Sequence, residues 1–124
     1  MSKAMVIDDS RVIRMILTNT LKELGYEVCQ AANGKEAMAS PELQSDKLSL
    51  ILLDWNMPEM NGIEFLEQLR LDACFRSVPV IMVTTETEVG QMVRALESGA
   101  NDYMMKPFTK EMVAEKLQGL GLLQ

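Results

Sequence analysis

Histidine is missing altogether from these 124 residues. Its absence removes Ser-His-Asp and Cys-His nucleophilic schemes, and histidine-ligated zinc with them. Cysteine is scarce. Cys29 and Cys74 are the only two, and their spacing fits neither a CxxC motif nor a metal knuckle, so each reads as a reduced, partly buried thiol. Positive charge is also in short supply, with 12 basic against 18 acidic residues and a net charge of −6. That balance argues against a nucleic-acid binder, whose affinity rests on neutralising phosphates. No apolar run approaches the length needed to span a bilayer, and the opening MSKAMVIDD lacks the charged and apolar regions of a signal peptide. The expectation is a soluble, cytoplasmic protein. Linkers, repeats, low-complexity tracts and runs of like charge are absent too, and the expectation is a single domain over residues 1–124 with no output domain.

What is present is organised around LSLILLDWNMPEMNG, from Leu48 to Gly62. Leu48, Leu50, Ile51, Leu52 and Leu53 are apolar with almost no alternation, the pattern of a strand buried on both faces of a parallel sheet. The run stops at Asp54, which is therefore placed at the carboxyl end of a central strand. In open α/β sheets that edge gathers ligands, because the loops leaving it form a crevice. A carboxylate there must be compensated, so a cation, a lysine or a donor is expected to converge on it.

The remaining chain alternates strand and helix. Lys3 to Asp8 reads as the first strand, ending in Asp8 and Asp9. Ser10 to Leu24 sets Val12, Ile13, Ile16, Leu17, Leu21 and Leu24 at helical spacing before Gly25. Tyr26 to Ala31 is the second strand, and Asn33 with Glu36 resembles a capping box opening a helix that Pro41 ends after about Ser40. Asn61 caps a helix carrying Ile63, Phe65, Leu66 and Leu69. Val78 to Thr84 is the fourth strand, and Glu88 to Ser98 a helix with Val89, Met92, Val93 and Leu96 on one face. A short strand, Tyr103 to Met105, precedes Lys106, Pro107 and a last helix from Thr109 to about Leu117. The 11 methionines read as core filler.

Five strands each followed by a helix require a parallel sheet with right-handed crossovers. Covering both faces suggests a doubly wound α/β sheet of order 2-1-3-4-5. Every strand then points its carboxyl end at one edge, which collects Asp8, Asp9, Asp54, Thr84 and Lys106. Three acids side by side raise one another's pKa unless a cation joins them. With oxygen donors and neither histidine nor thiolate nearby, Mg²⁺ is the natural cation. Asp9 and Asp54 are expected as ligands, Asp8 directly or through water, and the backbone carbonyl of Asn56 as a further donor. Lys106 and Thr84 would face phosphoryl oxygens, and Asp54 would be the nucleophile that becomes an aspartyl phosphate. Taken singly, each feature has an ordinary reading: a helix cap, a strand-end hydroxyl, a surface lysine. Their arrival at one edge is what separates them from that reading.

Asp8-Asp9, DWNMPEMNG at Asp54, the Thr84 strand end and Lys106-Pro107 together resemble a response-regulator receiver domain over essentially the whole chain. DWNMP, MVT and KPFT followed by EKL are most similar to the family's stand-alone chemotaxis regulators. The resemblance implies Mg²⁺-dependent transfer of a phosphoryl group from a histidine kinase to Asp54, followed by hydrolysis. It further implies a switch in which Thr84 turns toward the phosphoryl group and Tyr103 swings inward, remodelling the face of helix four, strand five and helix five for a downstream protein such as a flagellar motor switch. A cis Lys106-Pro107 bond belongs to the same pattern, and Asn56 and Glu86 match positions that tune dephosphorylation. Thr85 departs from it, since relatives usually carry a smaller residue there. Two alternatives remain open at this stage. One is a phosphorelay intermediate passing its phosphoryl group to a histidine phosphotransfer protein. The other is a haloacid-dehalogenase-like phosphatase, which would want an acid where this chain has Asn56.

Overall fold

The computed structural model describes residues 2–40, 48–55, 60–72, 75–85 and 89–123. Among these, five strands alternate with five helices: β1 (Lys3–Ile7), α1 (Arg11–Glu23), β2 (Glu27–Ala31), α2 (Gly34–Ala39), β3 (Leu50–Leu53), α3 (Gly62–Leu71), β4 (Val80–Thr84), α4 (Val89–Glu97), β5 (Asp102–Met105) and α5 (Lys110–Gly119). The strands form one parallel sheet, as the alternation required, in the expected order β2-β1-β3-β4-β5.

Local chemistry sets the element ends. The Ser10 hydroxyl accepts from the Ile13 N–H at 3.3 Å and opens α1, and Asn33 accepts from Glu36 at 2.8 Å to open α2. At Asn61 the capping box is reciprocal: its side chain accepts from Glu64 N–H at 2.9 Å while the Glu64 carboxylate accepts the Asn61 N–H at 3.3 Å. Thr109 does the same for α5 by accepting from Met112. The fourth strand starts at Val80 rather than Val78 because Pro79 has no N–H to donate to a ladder. Its carbonyl still accepts from Ile51 at 2.9 Å.

Successive strand residues face opposite sides of the sheet, and this alternation builds two cores. Met5, Ile7, Ile51, Leu53, Val80 and Met82 pack with Ile63, Phe65, Leu66 and Leu69 of α3 and with Ala95 of α4. Ala4, Val6, Leu50, Leu52, Ile81 and Val83 pack with Leu17 and Leu21 of α1 and Val113 and Leu117 of α5. Each Val, Leu, Ile, Phe or Met among them contributes about 1.5–3 kcal/mol when fully buried. Because the central strands are apolar on both faces, they show no alternation in sequence.

Two helical faces are narrower than their apolar spacing suggests. On α1 only Leu17 and Leu21 of the stripe are buried, while Val12 and Ile16 are exposed along with Met15. On α4, among the residues whose burial is described, Ala95 is buried, Met92 is half-buried against the same core, and Val93 and Leu96 face solvent. The methionines divide likewise: Met5, Met82 and Met104 are in the core, whereas Met15 and Met105 are exposed. Cys29 is half-buried, with its Sγ 3.6 Å from the Ala4 carbonyl oxygen, and Cys74 lies outside the described residues. Among the described residues no helix is long and apolar enough to cross a membrane.

Candidate functional site

Strand register creates the site. Ile7 of β1 lies across from Leu53 of β3, so the next residue on each, Asp8 and Asp54, emerges beside the other. Main-chain bonds carry that alignment past the strand ends, since the Asp54 N–H donates to the Ile7 carbonyl at 2.9 Å and the Asp8 N–H to that of Ala31 at 3.1 Å. On the other side β4 and β5 run level, with Thr84 opposite Met105. The next residue, Lys106, donates its N–H to the Thr84 carbonyl at 2.9 Å. The Lys106–Pro107 peptide is cis.

The side chains converge accordingly. Asp8 and Asp54 are 1% and 6% exposed, unusual burial for carboxyls. Lys106 reaches back to both, its Nζ donating to Asp8 Oδ2 at 2.8 Å and standing 3.4 Å from Asp54 Oδ1. Backbone donors add to this: the Ser10 N–H donates to Asp8 Oδ1, and the Trp55 N–H to the same Asp54 Oδ1 that faces Lys106, each at 2.9 Å. Asp9 is exposed, yet one carboxyl oxygen from each of Asp8, Asp9 and Asp54 falls within 4.8 Å of the others. Gly62, at the start of α3, closes the floor. Its N–H donates to the Trp55 carbonyl at 2.9 Å, and a methyl group at this position would strike the carbonyl oxygen of Asp54.

The electrostatics are asymmetric. Burial pushes the Asp54 carboxyl from its ordinary 3.8 up to about 6, and neighbouring Asp8 adds to the rise. Lys106, by its charge and hydrogen bond, and the Trp55 N–H act in the opposite direction without cancelling it. A buried carboxylate whose charge is incompletely matched is suited to bind a hard cation or to attack an electrophile. All the acidic donors are oxygen, which fits Mg²⁺ or a similar hard ion rather than zinc or copper.

Of the residues singled out in the sequence, the structure gathers Asp8, Asp9, Asp54 and Lys106 into one cluster. Thr84 ends β4 fully buried, and Tyr103 is buried on β5, where it joins the α3-side core. Asn56 and Glu86 lie outside the described residues. Sequence reasoning took Ser10 only as the start of a helix and passed over Arg14, whose guanidinium donates to the Asp8 carbonyl at 2.6 Å. Four-residue spacing from the cap was the available signal, and it is too common to have marked Arg14 out.

This acid cluster on a 2-1-3-4-5 sheet defines a class, and comparison with known families agrees: residues 4–118 match the response regulator receiver domain, and the chain belongs to that family. Its similarity runs to the chemotaxis proteins called CheY. It is 43% identical to chemotaxis protein CheY1 of Helicobacter pylori over 94% of each chain. The CheY homologue of Campylobacter jejuni is 41% identical over 94% of this chain and 89% of that one. Among solved structures, the chemotaxis response regulator CheY4 of Vibrio cholerae superposes with a TM-score of 0.89 at 37% identity, covering 97% of this chain and 98% of its own. The chain is thus a CheY-type receiver domain, a protein of two-component signalling.

Proposed function

We propose that this protein is a phosphorylation-activated switch which takes a phosphoryl group from the phosphohistidine of a histidine kinase onto Asp54. The observation that carries the reading is the Asp54 carboxyl, 6% exposed, with two further acids and a lysine ammonium gathered at it. In the transfer, a carboxylate oxygen of Asp54 forms a bond to phosphorus as the phosphorus–nitrogen bond breaks, and the freed imidazole leaves with the electron pair. Lys106 draws on phosphoryl oxygens as a point charge, and the Thr84 hydroxyl supplies a donor once it turns to them. Asp8, Asp9, Asp54 and the Asn56 carbonyl would hold Mg²⁺. When bound, Mg²⁺ neutralises carboxylates and phosphoryl oxygens that would otherwise repel. Hydrolysis of the acyl phosphate resets the protein, with Asn56 and Glu86 setting its pace.

Output follows from the same edge. Thr84 and Lys106 are joined through the main chain, so a phosphoryl group that pulls on them acts on β4 and β5 together. Tyr103, on β5 between Asp102 and Met104, is the side chain whose packing reports that movement. The remodelled α4-β5-α5 face then binds a downstream protein in chemotaxis.

The test is phosphorylation with acetyl phosphate or a phosphorylated kinase, with and without Mg²⁺. Wild type should take up one hydroxylamine-labile phosphate only with the metal, and Asp54→Asn none. Label that persists in Asp54→Asn moves the acceptor elsewhere and overturns the assignment.

A further inference from the structure

We infer that Arg14 is a positioning residue for the metal-binding acids, acting through the peptide that links Asp8 to Asp9; the inference rests on the Mg²⁺ site just proposed. Arg14 lies one turn into α1, where its own N–H donates to the Ser10 carbonyl at 3.0 Å. Its side chain turns back six residues, so that Nη1 donates to the main-chain oxygen of Asp8 at 2.6 Å, while Nε donates to Gln30 Oε1 on neighbouring β2 at 3.3 Å. The guanidinium is thus braced against the sheet at one nitrogen and grips the acid loop at another.

That grip matters because of which oxygen it holds. The Asp8 carbonyl belongs to the planar unit running from Asp8 Cα to Asp9 Cα, so holding the oxygen restrains the tilt of that plane and with it the point from which the Asp9 side chain departs. Asp8 has other restraints, the Ser10 N–H and Lys106. Asp9 is exposed. With the plane held, its carboxyl comes within 4.8 Å of those of Asp8 and Asp54; released, the plane can rotate and the third acid swings out of reach. Groups standing behind metal ligands commonly govern affinity by about 10- to 100-fold.

Charge and position make opposite demands, and this makes the inference decidable. A guanidinium near an acidic cluster repels a divalent cation, so removing it should tighten Mg²⁺ binding if charge alone matters. If Arg14 positions Asp9, removing it should weaken binding. Mg²⁺ is titrated into wild type, Arg14→Met and Arg14→Lys, read by Trp55 fluorescence and by calorimetry, alongside the Mg²⁺ dependence of labelling by acetyl phosphate.

The expected result is about tenfold weaker Mg²⁺ binding in Arg14→Met. The labelling rate at saturating Mg²⁺ should stay near wild type, and Arg14→Lys, which keeps a donor for the Asp8 carbonyl, should recover most of the affinity. Equal or tighter binding in Arg14→Met overturns the inference, as does a loss that Arg14→Lys does not relieve. Should Arg14→Met fail to fold, Arg14→Gln, which is too short to reach, is judged by the same criterion. A wild-type protein that shows no Mg²⁺ response at all would instead sink the metal site proposed above.

Discussion

Replacing Asp54 by Asn should stabilise the metal-free protein, and only where the carboxyl would be charged. Burial among apolar strands, with Asp8 beside it, raises this group from 3.8 to about 6. The folded state therefore holds the proton more tightly than the unfolded chain does. Its contribution to stability is fully present below pH 3.8, falls as pH rises through the interval to about 6, and is gone at neutrality. The full displacement corresponds to about 3 kcal/mol. Lys106, 15% exposed, lets water reach the cluster, so about 1–2 kcal/mol is expected to survive screening. Asparagine keeps an acceptor for the Trp55 N–H, and Lys106 keeps Asp8 at 2.8 Å, so little else changes. In EDTA, thermal melts followed by circular dichroism at steps from pH 4 to pH 8 should coincide at the acid end. They should diverge to a gain of roughly 3–8 °C for Asp54→Asn at pH 8. Adding Mg²⁺ at ten times its dissociation constant should raise wild type by about 1.4 kcal/mol and close most of the gap. A difference that does not vary with pH, or a wild type more stable than the variant at pH 8, would refute the burial argument.

Thr18 carries a buried hydroxyl with no hydrogen-bond partner, so Thr18→Val should raise stability by about 1 kcal/mol in urea denaturation, and a loss would show that the hydroxyl is satisfied after all. Arg70 donates to the Gly99 carbonyl at 2.8 and 3.1 Å, to Asn101 Oδ1 at 3.1 Å and to the Phe75 carbonyl, tying α3 to the turn before β5. Arg70→Ala should lose about 2–3 kcal/mol and Arg70→Lys should restore little, because one ammonium cannot reproduce the fork; full rescue by lysine in the same denaturation series would contradict this. Gly62→Ala forces a methyl against the Asp54 carbonyl and should cost about 1–3 kcal/mol while slowing acetyl phosphate labelling of Asp54. Labelling at the wild-type rate would mean that the loop yields without moving the acceptor.

The sheet was legible because LILL and VIMV are apolar on both faces, a pattern that amphipathic surface strands do not produce. The acid cluster was legible for a related reason: once the strand order is set, residues ending strands must meet, whatever the helices do. Helical burial was less so. Val12, Ile16, Val93 and Leu96 continue apolar stripes yet stay exposed, because a helix lying on a sheet covers only its central line of contact and leaves the flanks to solvent. Spacing alone does not tell centre from flank. Arg14 was passed over, and Gly62 was read only as part of the DWNMPEMNG run, for another reason. Their importance lies in what they approach, a carbonyl six residues back and one eight residues back, and neither interval belongs to a helical or strand period. Their relation exists only after the chain has folded.

The same geometry explains why one lysine does not complete the site. By formal charge, three carboxyls face one ammonium, which leaves two negative charges against which a phosphoryl group must approach. Lys106 is already committed at 2.8 Å to Asp8, so its charge is only partly available to Asp54 at 3.4 Å. A second lysine in the cluster would remove only half of the deficit, and it would also lower the Asp54 carboxyl. A divalent cation matches the deficit in charge and, unlike a fixed side chain, shares its coordination with phosphoryl oxygens. On the function proposed above, leaving the deficit in place would make Asp54 reactive only when the ion is present, at the expense of stability in the metal-free state.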